Sequence, residues 1–228
     1  FDFIDLAKEL QPKVVVAENV KGLLLGNAIE YVRKIYEEFD KAGYYCQHFL
    51  LDASKMGVPQ RRERVFFICL RKDLANKFLY FKDMFTEIPK IEMEFNEEEI
   101  LFEQIFIENN KDRLLTEFSK EIWNLRKFGD IGFEDINLRE FNKPNLHFNK
   151  KFIYKNKVAN TITGKDDCVL FDEPRHKSNL ENILCGSFPK DYNFLKVKPH
   201  YLIGMSVPPV VMAQISFQIH LQWLQYLK

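Results

Sequence analysis

The chain has 228 residues, with 33 lysines plus arginines against 33 aspartates plus glutamates, and a mean hydropathy of −0.29. With 46% hydrophobic and 14% aromatic residues it can bury a substantial core, which excludes wholesale disorder and predicts one large domain or two small ones. No apolar stretch is expected to reach the roughly 18 to 20 uncharged residues of a membrane span, and Cys46, Cys69, Cys168 and Cys185 form no CxxC pair, which argues against a disulfide framework or a metal site.

The chain begins at Phe1 without a start Met or a signal-like segment, as a processed product or a piece of something longer would. Residues 1–10 carry apolar side chains at helical spacing, and Pro12 closes that helix. Val14-Val15-Val16-Ala17 is a short β-branched run, the pattern of a strand covered on both faces, and Glu18-Asn19 ends it. A helix follows over 28–41, with Ile29, Val32, Ile35, Tyr36 and Phe39 on one face and Gly43 as its stop. Residues 44–51 and 64–70 read as strands separated by the loop Met56-Gly57-Val58-Pro59-Gln60-Arg61. Helix, strand, helix, strand, strand is the order of an open α/β sheet, in which functional groups gather beyond strand ends, where Glu18 and Asn19 fall. Residues 72–157 loosen into short aromatic and acidic pieces, with one better helix over 113–127, and read as an inserted module. After Val207-Pro208-Pro209, residues 210–227 read as a terminal helix begun by the prolines.

Net neutrality conceals strong local charge. Residues 82–110 hold two lysines and nine carboxylates, a stretch that repels a polyanion, whereas residues 142–165 hold six lysines and no carboxylate, with His147, Phe148, Phe152 and Tyr154 interleaved. The basic stretch suits phosphates and stacked bases, although a plain solvated face explains it about as well. Three constellations are candidates for chemistry. Glu18 after an apolar strand is expected to be partly desolvated and is a candidate general acid; the plainer alternative is a loop-fastening carboxylate. In Gln60-Arg61-Arg62-Glu63-Arg64, strand alternation puts Arg62 and Arg64 on one face, where two guanidiniums converge on one phosphate or base edge, unless they form a surface ion-pair ladder. Gly204-Met205-Ser206-Val207-Pro208-Pro209 is a glycine turn that presents N–H groups and a hydroxyl before a helix, or simply an N-cap at Ser206.

Five ordered segments resemble the carboxyl-terminal half of the DNA (cytosine-5)-methyltransferases. They are Pro12 through Leu23 with Glu18-Asn19-Val20; Tyr44 through Leu70 with Gln60-Arg61-Arg62-Glu63-Arg64; Asn160-Thr161-Ile162-Thr163; Glu181 with Phe188-Pro189-Lys190-Asp191-Tyr192; and Gly204 through Pro209. The resemblance implies an α/β fold, a partial Rossmann-like S-adenosylmethionine-dependent methyltransferase sheet with a small inserted target recognition domain. The implied division is 1–72 for the second half of the catalytic domain, 73–157 for target recognition, 158–200 for its end and hinge, and 201–228 for a helix returning to the catalytic domain.

The resemblance also implies roles. Glu18 contacts and protonates cytosine N3, Arg64 lies near the base oxygen and Arg62 near the adjoining phosphate, on a cytosine flipped out of duplex DNA. Asn19, Gly204 and Ser206 border the methyl donor, S-adenosylmethionine. Gln60, Arg61, Lys150, Lys151, Lys155, Thr161 and Thr163 hold the DNA, with no metal and no membrane involved. The implied setting is restriction-modification in a prokaryotic cytoplasm, associated with the nucleoid. None of the four cysteines follows a proline, so the Pro-Cys nucleophile and the main donor loop are expected in a missing amino-terminal half, in the same chain or a second subunit. Met205 stands where the family has Asn, and Leu180 where it has the Arg of an Arg-Glu pair, which predicts a weakened donor site and a weakened structural ion pair. The alternatives are a non-catalytic DNA-binding relative, a split-enzyme subunit and a relative acting on transfer RNA.

Overall fold

A computed structural model of the chain describes residues 2–84, 86–143, 147, 149–165 and 167–227. The chain divides into two compact units, one made of Phe1–Asp52, Glu63–Phe95 and Ala213–Lys228, the other of Ala53–Arg62 and Asn96–Met212. This division departs from the expected one: residues 73–95 stay with the sheet unit, the loop 53–62 folds with the second unit, and residues 158–212 are continuous with 96–157.

In the first unit, helix α1 (Asp2–Leu10) leads to strand β1 (Val14–Val20), helix α2 (Ile29–Lys41), strand β2 (Tyr44–Asp52) and strand β3 (Glu63–Arg71). A short helix α3 (Lys72–Ala75) and the two-stranded ribbon of β4 (Leu79–Phe81) and β5 (Glu87–Pro89) follow. The sheet order is β1-β3-β2, with β3 antiparallel to both neighbours. β1 and β2 therefore run in the same direction and are joined through α2, with β3 inserted between them. The uninterrupted run from Val65 to Leu70 is buried at every position, as befits a central strand covered on both faces. Register explains the core on one face: Val65, Phe67 and Cys69 meet Val15 of β1 and Tyr44 and Cys46 of β2, and Ile4, Val32 and Phe39 of the helices complete the cluster. Among the described residues β1 pairs only with β3, so its other edge is open.

The second unit contains α4 (Glu117–Asn124), α5 (Phe133–Phe141), β6 (Phe152–Ile153), β7 (Val169–Leu170), α6 (Asn179–Cys185) and α7 (Pro199–Met205). The helix expected over 113–127 is shorter because Leu114 bridges to Arg175 and Thr116 caps the helix through Ser119 N. β6 and β7 pair in parallel, and their alternation feeds two cores: Phe152 and Val169 join Trp123, Phe133 and Ile136, while Ile153 and Leu170 join Phe102, Ile162, Ile183 and Ile203.

The expectation about membrane-length stretches is corrected. Residues 201–227 contain no Asp, Glu, Lys or Arg, and the segment Pro199–Tyr226 reaches a mean hydropathy of 1.5, long and apolar enough by length and composition to cross a membrane. It is broken at Ser206–Pro208, between α7 and helix α8 (Pro209–Gln222), because Pro208 and Pro209 cannot continue the first helix. Ile203, Val211, Ile215, Ile219 and Trp223 are buried.

Candidate functional site

In the first unit the geometry starts from strand register. Arg64 stands opposite Val20, and Glu18, two residues back along β1, shares that face. An ion pair closes the diagonal, Arg64 Nε to Glu18 Oε1 at 2.9 Å, with the two side chains 18% and 29% exposed. Arg64 Nη1 also donates to the Glu63 carbonyl at 2.8 Å, and Lys21 Nζ binds the Glu63 carboxylate at 2.8 and 2.9 Å. Glu18 is thus not a lone carboxyl past the end of an apolar strand; β1 continues to Val20, and a guanidinium meets the carboxylate. Glu18 and Asn19 border a crevice of about 620 Å³ whose remaining wall is largely apolar, with Phe3, Val16, Leu23, Tyr31 and Phe67.

Arg62, expected beside Arg64 on a phosphate, does something else. It precedes β3, so strand alternation does not govern it. Its guanidinium is buried and donates to the carbonyls of Ile162 (3.1 Å), Gly204 (3.1 Å) and Ser206 (2.9 Å). Gln60, expected on DNA, is also buried: Nε2 donates to the Cys185 carbonyl at 3.1 Å, and Oε1 accepts from Ile162 N at 2.9 Å. Thr161 Oγ1 donates to the Arg61 carbonyl at 2.5 Å. The Gln60-Arg61-Arg62 loop is therefore stitched to residues 159–162 and 204–206, and only Arg61 sends a charged group outward, 65% exposed. Gly57 makes this loop possible, since its φ of +74° is a left-handed conformation and a Cβ there would lie 2.6 Å from Glu97 Oε2.

Gly204 and Ser206 do not form the expected anion-holding turn. Gly204 lies inside α7, where a Cβ would come within 2.5 Å of Thr163 C, so glycine is required for close backbone approach. Ser206 Oγ donates to the Ile203 carbonyl at 3.0 Å and its own carbonyl is taken by Arg62. Nor is Ser206 the cap of α8, which starts three residues later. Ser206 N also donates to the Ile203 carbonyl, at 3.2 Å; Asn19 lines the crevice, its Oδ1 accepting from Val20 N at 2.8 Å.

The lysine-rich segment sorts into inward and outward groups. Lys150 Nζ donates to Ser119 Oγ at 2.7 Å and lies 5.3 Å from the Phe133 ring centre, and burial pushes its ammonium pKa down. Lys150 is thus a packing residue, contrary to expectation. Lys155 covers Phe106 at 3.8 Å, whereas Lys151 and Thr163 are exposed. Phe152 is buried, His147 packs edge-on against Phe133, and Tyr154 stacks on Phe171, so these rings are not free for bases; Phe148 lies outside the described residues.

Sequence reasoning missed Arg175. Leu180 does not leave Glu181 alone: Arg175 grips it with Nη1–Oε2 at 2.7 Å and Nη2–Oε1 at 2.9 Å, both side chains buried. Burial pushes the Glu181 carboxyl up, but Arg175 and the N–H groups of Ile107 and Ser178 outweigh it and hold the carboxyl below the usual carboxylate range. Ser178 caps α6 in return. The signal available in sequence was the Ser178-x-x-Glu181 capping box with an arginine just before it.

All four cysteines are buried, and among the described residues no three His, Cys, Asp or Glu side chains gather as a metal-binding group.

The family model for C-5 cytosine-specific DNA methylase matches residues 1–220. The Type II methyltransferase M.NgoFVII of Neisseria gonorrhoeae is 27% identical over 95% of the chain and 61% of its own length, and M.FnuDI of Fusobacterium nucleatum is 47% identical over 32% of the chain and 22% of its length. The chain thus spans under two thirds of these relatives. Among solved structures, Spodoptera frugiperda DNMT2 aligns with a TM-score of 0.63 at 18% identity, covering 95% of this chain and 69% of that one. A putative DNA modification methyltransferase from an E. coli prophage aligns with the same score and identity over 96% and 72%. The α/β sheet with its inserted unit is therefore the methyltransferase fold, and the chain belongs to the C-5 cytosine-specific DNA methylase family.

Proposed function

We propose that this chain supplies the cytosine-contacting and DNA-holding parts of a restriction-modification type DNA cytosine-5 methyltransferase. The observation that carries this reading is the Glu18–Arg64 pair at the edge of an accessible crevice. Arg64 holds the carboxyl in one orientation, and Glu18 directs it to ring N3 of a cytosine flipped from the duplex. The Glu18 carboxyl gives a proton to N3 as a nucleophile adds at C6, and that addition leaves an enamine whose C5 is electron-rich enough to accept a methyl group; loss of the C5 proton to a base and expulsion of the nucleophile then restore the ring. The family implies S-adenosylmethionine as the donor of that methyl group. Arg62 and Gln60 are positioning residues: they fix the loop that leads into Arg64 and touch neither base nor phosphate.

The nucleophile is assigned to polypeptide outside these 228 residues, because the chain's cysteines are buried and none follows a proline. The open edge of β1 and the exposed apolar side chains of Phe3, Leu6, Leu10 and Tyr31 offer a surface for that polypeptide. The test is methyl transfer to duplex DNA with and without an added amino-terminal portion carrying a Pro-Cys motif. Transfer is expected only in its presence, and robust methylation by the 228 residues alone overturns the assignment. Binding of duplex DNA but of no methyl donor by the reconstituted protein would instead favour a non-catalytic DNA-binding relative.

A further inference from the structure

We propose that a second crevice, of about 400 Å³ in the second unit, grips a phosphodiester of duplex DNA with Lys151 and Lys157 and reads the neighbouring base edge with Asn156. The proposal rests on the reading above that the protein acts on DNA, and it names residues that set sequence preference. One wall is fixed through the main chain: Arg61 N donates to the Ala159 carbonyl at 2.9 Å and Thr161 holds the Arg61 carbonyl, so the guanidinium extends from a rigid base. The other wall is Tyr154, whose hydroxyl donates to the Asp130 carbonyl at 2.6 Å and whose ring stacks on Phe171 with centroids 4.6 Å apart. From it the chain turns, Lys157 N donating to the Tyr154 carbonyl at 3.1 Å, and leaves Asn156 exposed on the turn.

The charge balance favours an anion. The crevice has two carboxylates, and both are engaged: Glu99 by Lys55 at 3.1 Å and Arg61 at 3.9 Å, Asp130 by Arg139 and Lys127 N, each at 2.7 Å. Lys151 and Lys157 are exposed and have no carboxylate partner among the described residues. Lys157 sits 4.9 Å from the Tyr154 ring centre, opposing use of that ring as a stacking platform, since Phe171 already stacks on it. Recognition here is therefore by hydrogen bonds. Asn156 makes no hydrogen bond to a described residue, so its amide offers a donor and an acceptor side by side, the pattern that matches adenine in the major groove. Asn160 spends Nδ2 on the Phe152 carbonyl at 3.2 Å and so lines the crevice in a fixed pose. Exposed lysines are suited to phosphate, which positions the protein, while the amide specifies the base.

The test uses the full chain and fluorescently labelled duplex DNA, titrated across a range of salt, together with selection from a randomised duplex pool. Lys151→Ala and Lys157→Ala are each expected to weaken binding several-fold and to lower the slope of log affinity against log salt by about one, and Lys157→Arg to restore both. Asn156→Ala is expected to keep affinity for bulk duplex and the salt slope but to flatten base preference at one position. Thermal melting confirms that each variant is folded. If the chain binds duplex DNA and the lysine variants leave affinity and slope unchanged, or Asn156→Ala leaves every preference intact, the crevice is not the site although the DNA reading stands. If the unsubstituted chain binds no duplex DNA, both fall.

Discussion

Two arginine–glutamate pairs, one in each unit, differ in almost everything except their chemistry. Arg64–Glu18 is a partly exposed pair on an open-edged strand, beside a crevice. Arg175–Glu181 is fully buried and bidentate, and it has backbone N–H groups filling the remaining lone pairs. A buried pair with every partner in place has nothing left to offer a substrate, and breaking it leaves an uncompensated charge in a low-dielectric interior. A pair beside open space keeps its capacity to bind, and losing it costs little stability. Function in this chain is assigned to the looser of the two for that reason.

The comparison can be broken at either end. The largest effect is expected from Glu181→Gln or Arg175→Met, which strand a buried partner and should lower unfolding stability by about 3 to 5 kcal/mol in denaturant titrations. Arg62→Met is next: it removes the donor to three carbonyls, two of them only part-buried, for roughly 1 to 3 kcal/mol in all. Glu18→Gln should leave the melting temperature within about 1 °C while reducing methyl transfer by about 10² to 10⁴, the usual worth of a positioned proton-transfer group. Acid should find the same difference. Glu181 is held ionised below the usual carboxylate range, so its contribution is present above about pH 4.5, the unperturbed carboxyl value, and is lost as pH falls through the lowered folded value. A melting series from neutral pH into acid should show this loss in the parent chain and a flatter curve in Glu181→Gln. Gly204→Ala is the smallest of the set, about 1 to 3 kcal/mol from pushing a Cβ into the Thr163–Gly164 backbone.

What was legible in the sequence follows the same division. β3 was legible because a central strand reads as one continuous apolar run, but the Glu18–Arg64 pair was not: β1 is expected to end before Glu18, whereas it continues to Val20, and its antiparallel register against β3 brings the two side chains together. Arg62 was misread because alternation was extended one residue beyond the strand, where a loop turns the side chain toward carbonyls instead. Gln60 and Lys150 lie in a motif and a basic run whose polar residues are expected to face outward, and their burial depends on contacts remote in sequence, 102 residues away for Ile162 and 31 for Ser119. Arg175 was invisible because only the residue preceding Glu181 was considered as its partner, whereas the chain bends back across six residues to bring the guanidinium in. The uncharged length of residues 201–227 was underestimated for a simpler reason: Gly204, Ser206 and the two prolines disguise a run in which no formal charge interrupts.

The most direct measurement of the central claim is the single-turnover rate of methyl transfer to duplex DNA by the chain supplied with its amino-terminal complement, compared between the parent and Glu18→Gln at matched melting temperature. The account predicts a loss of at least about a hundredfold with DNA affinity retained; a Glu18→Gln rate equal to that of the parent would contradict it.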